Sequence, residues 1–128
     1  MKKLVFIFVS LLFLTACGQT IENNQETGYM NITASEAKEI MDTQDGYVIL
    51  DARTQEEYDE GHIPGAVLIP YDEILEKAET ALTDKDQLIL VYCRSGRRSK
   101  LAAKDLVKLG YTNIKEFGGI IDWPYEVE

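Results

Sequence analysis

The stretch Val91 to Ser99, VYCRSGRRS, sets one thiol at the end of an apolar run. Arg94, Ser95, Gly96, Arg97, Arg98 and Ser99 follow it without a break. The thiolate, not the thiol, is the nucleophile, and guanidinium groups beside Cys93 favour the anion. Gly96 supplies the backbone freedom of a tight turn whose successive N–H groups face inward, an anion-binding nest. A helix beginning just after the turn adds partial positive charge and unpaired amides. Together these build a place for a negative group on, or beside, a sulfur atom. The competing reading is a buried structural cysteine at a strand end. Three arginines directly after Cys93 argue against an inert apolar setting.

Loop length narrows the cargo. Four residues separate Cys93 from Arg98. Thiol phosphatases separate the two by five to wrap a tetrahedral phosphoryl group, and in that register the arginine position holds Ser99. The shorter loop suits a smaller cargo, such as one extra sulfur, and disfavours phosphatase or arsenate-reductase chemistry.

The elements around the loop must place it at the carboxyl end of a strand. YMNI (Tyr29 to Ile32) reads as a first strand or extended lead-in. Thr33 and Glu36 have capping-box spacing for a helix through about Met41. YVILD (Tyr47 to Asp51) is a strand. Thr54 and Glu57 repeat the capping box over a short helix that Gly61 can end. AVLIP (Ala66 to Pro70) is another strand and DEILEKAETAL (Asp72 to Leu82) a helix. LILVY (Leu88 to Tyr92) is apolar throughout, as a strand buried on both faces is. A helix over about Arg97 to Leu109 stops at Gly110, and NIKEF (Asn113 to Phe117) is a last strand. Alternating strands and helices predict an α/β fold, with a parallel sheet of about five strands covered on both faces. In such sheets the ligand crevice lies beyond the carboxyl ends of the strands, where Cys93 falls.

The N-terminal part has another purpose. Lys2 and Lys3 precede an apolar run, Leu4 to Leu14, that falls short of the roughly 20 residues a membrane-spanning helix needs. This is the pattern of an export signal. LTAC (Leu14 to Cys17) resembles the lipobox of bacterial lipoproteins, which implies a signal peptide over residues 1–16 and a lipid on Cys17. Residues 17–28 are polar and read as a tether, and residues 29–128 as the domain. An extracytoplasmic, membrane-anchored location is expected. Removing Lys2 and Lys3 from the 13 basic residues leaves 22 acidic residues opposing 11, a net charge of about -11. Such a surface disfavours nucleic acid and anionic headgroups, so the basic island after Cys93 serves a local purpose. With Cys17 alkylated, Cys93 has no intramolecular cysteine to pair with, and a dithiol mechanism lacks its second thiol.

CRSGRR (Cys93 to Arg98) resembles the active-site loop of the rhodanese family of sulfurtransferases. ILDARTQEEYDEGHIPGAVLIP (Ile49 to Pro70) is similar to that family's upstream motif, and FGGIIDWP (Phe117 to Pro124) to its closing Gly-Gly and Trp. The resemblance covers roughly Asn31 to Trp123. It implies a rhodanese-like fold and two-step sulfur transfer through a persulfide on Cys93, from a small anionic donor such as thiosulfate to cyanide, a thiol or a protein acceptor. Arg94, Arg97 and Arg98 would attract the donor, and the amides from Ser95 to Ser99 would hold the anion. The alternative within the same fold is a sulfur-binding or sensing module with little turnover.

His62, the only histidine, lies in a turn motif and reads as a satisfied turn residue rather than a general base. An internal ion pair explains Asp51 and Arg53 as well as chemistry does. Lys100, Lys104 and Lys108 form a solvated helical stripe, and Trp123 and Tyr125 read as packing. No residues have metal-site spacing, and no cofactor is implied.

Overall fold

The computed structural model describes residues 27–128. The export signal, Cys17 and most of the tether therefore lie outside the described residues. Five strands form one parallel sheet: β1 (Met30–Asn31), β2 (Val48–Asp51), β3 (Val67–Leu68), β4 (Ile89–Cys93) and β5 (Ile114–Gly119). Their spatial order is β1-β5-β4-β2-β3, which puts the most apolar strand, β4, at the centre. Every residue of β4 is buried. The α/β architecture and the five-stranded sheet are as the sequence predicts.

Four α-helices connect the strands: α1 (Ala34–Thr43), α2 (Gln55–Glu60), α3 (Ile74–Ala81) and α4 (Arg97–Lys108). Both capping boxes form. Thr33 accepts from the Glu36 amide at 3.1 Å and Thr54 from the Glu57 amide at 3.2 Å, while each glutamate reaches back to the cap. Such a cap contributes about 1 kcal/mol. Gly61 follows α2.

Strand alternation sends side chains to two separate cores. Ile89, Val91 and Cys93 of β4 pack with Leu50 and Ile114 under α3 and α4, through Ile74, Ala78, Ala102, Ala103 and Leu106. Leu90 and Tyr92 face the other way, with Ile49, Ile63 and Trp123, under Ala37 and Ile40 of α1. Two elements differ from expectation. The AVLIP strand shortens to Val67–Leu68, because Pro70 cannot donate a ladder bond and starts a 3-10 turn, Tyr71–Glu73, in its place. That turn also replaces the first part of the helix expected from Asp72, so α3 starts at Ile74.

The ladder between β4 and β5 is irregular where it matters. Val91 pairs with Glu116, but Cys93 pairs with Gly119, so β5 spends an extra residue over this interval. Bulges of this kind bend a strand and re-aim the residues beside a site.

Candidate active site

Cys93 ends β4, and Arg94, Ser95 and Gly96 carry the chain over its sulfur into α4. Gly96 caps α4 with φ 108° and ψ -17°, a left-handed conformation that side chains resist. This turn aims the Gly96 amide at Cys93 Sγ, at 3.0 Å. Ser99, one turn into α4, places its hydroxyl 3.4 Å from the same sulfur. Gly119 lies against the loop backbone: a Cβ there would stand 1.8 Å from the Arg94 carbonyl oxygen and 2.5 Å from the Ser95 nitrogen. The Arg94 carbonyl also accepts from the Ile121 amide at 3.3 Å. The closing Gly-Gly segment is thus the floor on which the loop is moulded.

Cys93 is fully buried. Burial pushes its thiol up, but the Ser99 hydroxyl and the amides of Ser99, Gly96 and Ser95 outweigh it, and the thiol lies below its ordinary value. The sequence credits both helix-start amides and guanidinium groups with lowering it; the amides at the start of α4 do so, and the Ser99 hydroxyl joins them as the largest lowering cause. One side of the sulfur belongs to the apolar core and the other to these donors.

The arginines separate in space. Arg98 makes a two-pronged ion pair with Glu57, at 2.6 and 2.8 Å, which ties the start of α4 to the capped end of α2. That pairing holds the Glu57 carboxyl down to about 2. Arg98 still acts on Cys93 electrostatically, since the sulfur raises the guanidinium's affinity for its proton. Arg94 and Ser95 on the loop and Arg97 at the start of α4 are exposed. The structure therefore brings Cys93, the loop amides and Ser99 together, while Arg98 meets Glu57.

Other candidates fall into structural roles. Arg53 grips Asp51 through Nε and Nη2, the latter at 2.7 Å from Oδ2, and also donates to the Gly61 carbonyl. The Tyr92 hydroxyl donates to Asp51 Oδ2 at 2.7 Å and accepts from the Ile63 amide. This closed set satisfies two buried charges and fixes β2 against the turn after α2. His62 stacks on Tyr58 with centroids 3.7 Å apart, and its Nδ1 lies 2.9 Å from the Tyr58 carbonyl. Its remaining nitrogen approaches Glu128, so its partners are outside the Cys93 loop. Trp123 is buried edge-on to Tyr125. A cavity of about 500 Å³ beside Tyr47, Ile63 and Trp123 opens on the sheet face opposite Cys93. Among the described residues no group of side chains could hold a metal ion.

Sequence reasoning missed Glu116. Its carboxylate is almost fully buried beneath the loop and accepts from the Ser99 hydroxyl at 2.7 Å and the Gly118 amide at 2.8 Å. Alternation along NIKEF held the signal, because Ile114 and Glu116 must share a face and that face is core.

A short thiol loop, moulded over a Gly-Gly floor at the end of a central parallel strand, defines a class of sulfur-handling domains. The rhodanese-like domain family model matches residues 33–124, and the chain belongs to that family. It is 40% identical over 73 residues to thiosulfate sulfurtransferase PspE of Escherichia coli, covering 57% of this chain and 70% of that protein. It is 39% identical over 92 residues to the putative sulfur carrier protein YrkF of Bacillus subtilis, covering 71% of this chain but only 49% of the relative. Among solved structures, a rhodanese with anions from E. coli superimposes with a TM-score of 0.60 at 35% identity, over 64% of this chain and 96% of that one. The chain is a rhodanese-type sulfurtransferase by family.

Proposed function

We propose that the protein moves a sulfane sulfur from a small anionic donor, such as thiosulfate, to a thiol or cyanide acceptor through a persulfide on Cys93. The Cys93 thiolate attacks the outer sulfur of the donor. A new S–S bond forms as the donor's S–S bond breaks, and sulfite leaves with the bonding pair. The outer sulfur of the persulfide carries the negative charge. The acceptor's lone pair then takes that sulfur and returns Cys93 as thiolate. Dividing the transfer in two lets donor and acceptor bind in turn. The observation that carries this reading is the Gly96 amide aimed at Cys93 Sγ from 3.0 Å. The same turn of backbone suits an anion on that sulfur. Exposed Arg94 and Arg97 draw the donor to the mouth of the loop against the acidic field of the chain.

Steady-state transfer from thiosulfate to cyanide and to several small thiols tests the proposal, with Cys93→Ser as control. Turnover by the wild type that vanishes in the variant supports it. A second reading, a sulfur-binding module with little turnover, is favoured by the full burial of Cys93. Sulfur loading without turnover on any acceptor would select it. Cys93-dependent hydrolysis of an aryl phosphate would replace both.

The chain's start supports an address as well. The export pattern and LTAC sequence favour cleavage before Cys17, a lipid on its sulfur and a site held outside the cytoplasm by a membrane anchor. The mass of the N-terminal peptide from a membrane fraction tests this. A free Met1 or an unmodified Cys17 would refute it.

A further inference from the structure

Glu116 takes no part in the transfer just described, yet it is a carboxylate only 2% exposed beneath a reactive sulfur. Its Oε1 accepts from Ser99 Oγ at 2.7 Å and from the Gly118 amide at 2.8 Å. Ser99 Oγ stands 3.4 Å from Cys93 Sγ, 3.0 Å from the Gly96 carbonyl and 3.4 Å from the Gly118 carbonyl. Carboxylate, hydroxyl and thiol thus form one line. Among the described residues no Lys or Arg forms an ion pair with Glu116.

The chemistry follows from counting protons. A serine hydroxyl has one proton to donate, and here it has two anionic claimants. A thiolate and a carboxylate bridged by one hydroxyl in a buried site repel each other, so the pair tends to keep one proton between them. We infer that Glu116, acting through Ser99, holds the proton that Cys93 gives up when it becomes nucleophilic. In one arrangement Cys93 keeps its proton and donates to Ser99, which donates to the Glu116 carboxylate. In the other the proton has moved along the line. Glu116 is then a carboxylic acid donating to Ser99, and Ser99 donates to the thiolate. No proton enters or leaves, and the total charge of the three groups is unchanged. Glu116 reaches the sulfur only through Ser99 and is a positioning residue.

Other groups facing the pair set the balance. Tyr29, ahead of β1, faces Glu116, and the carboxylate together with burial raises its phenol. Arg98 on α4 acts on Cys93 through space while bonded to Glu57. The amides of Ser95, Gly96 and Ser99 face the sulfur, and that of Gly118 the carboxylate.

The inference rests on Cys93 being the sulfur carrier, so the test reads two things in the purified protein. The rate of Cys93 alkylation by iodoacetamide is followed against pH, and sulfur loading from thiosulfate is followed by mass. The wild type is expected to alkylate in two steps with a plateau between them, where the shared proton moves along the line. Glu116→Gln removes one claimant. Its profile becomes a single step at least about one pH unit below the wild-type upper step, roughly tenfold faster alkylation just beneath that step. Ser99→Ala keeps the carboxylate but cuts the line, so the plateau disappears. Superimposed wild-type and Glu116→Gln profiles, or a plateau that survives in Ser99→Ala, would overturn the inference. If Glu116→Gln does not fold, Ser99→Thr and Ser99→Ala decide, because only the threonine keeps the hydroxyl and with it the plateau. A wild type that alkylates as expected but never loads sulfur refutes the transfer reading and leaves the proton pair standing. Loading with superimposed profiles refutes only the role of Glu116.

Discussion

Replacing Glu57 with glutamine removes one charge from the brace that ties the loop helix to α2. The brace is short on both prongs, 2.6 and 2.8 Å, and its side chains are only 23% and 19% exposed. The Arg98 hydrogen bonds lower the Glu57 carboxyl from 4.5 to about 2. A carboxyl that is more acidic in the folded state stabilises the fold above its unfolded value. That stability is lost as pH falls from about 4.5 towards 2. The shift corresponds to roughly 3 kcal/mol, which partial solvent screening trims to about 2 kcal/mol. Glutamine at this position can still cap Thr54, so helix α2 should persist. At pH 7, Glu57→Gln should unfold about 2 kcal/mol more easily, a fall in Tm of roughly 8–16 °C for a domain of this size. Urea unfolding at intervals from pH 7 to pH 2 checks both parts. The wild-type curve should drop towards the variant's as acid protonates Glu57, and the gap should close near pH 2. Parallel curves with a constant gap would refute the ionic origin of the brace.

Three further outcomes follow from the same geometry. Gly119→Ala should cost more than about 3 kcal/mol, since its methyl would stand 1.8 Å from the Arg94 carbonyl oxygen. It should also abolish rapid alkylation of Cys93, read by thermal unfolding and thiol kinetics. Tyr92→Phe strands the buried Ile63 amide and one Asp51 oxygen contact, so denaturant unfolding should show a loss of about 2 kcal/mol. Arg94→Ala and Arg97→Ala should each raise KM for thiosulfate about threefold with kcat preserved, and the difference from wild type should shrink in high salt.

Local signals in the chain translate directly into structure where one residue's chemistry decides. Thr33 with Glu36 and Thr54 with Glu57 start α1 and α2 because the cap is made within four residues. The uninterrupted apolar run of β4 is central because both its faces must be covered. Cys93 and the turn at Gly96 were legible for the same reason. The rest depends on which strands become neighbours. Arg98 finds Glu57 41 positions away only after β2 and β4 pair, and Ser99 finds Glu116 17 positions away only after β4 and β5 pair with a shifted register. The three arginines fall within five positions of the chain, yet the fold points Arg98 at α2 and leaves Arg94 and Arg97 to solvent. The sequence assigns the acidity of the thiol to helix-start amides and arginines together, and the fold puts the amides and the Ser99 hydroxyl in the lead. Side-chain charge can be counted in a sequence, but dipole direction is set by the fold.

Whether sulfur resides covalently on Cys93 is settled most directly by peptide mass after brief exposure to thiosulfate, with free thiols trapped and no acceptor added. Transfer through this residue requires one additional sulfur atom on the Cys93 peptide, matched by one sulfite released per protein. Removal of that sulfur by added cyanide should restore the original mass. Sulfite release with an unmodified Cys93 peptide, or sulfur located on any other residue, would contradict it.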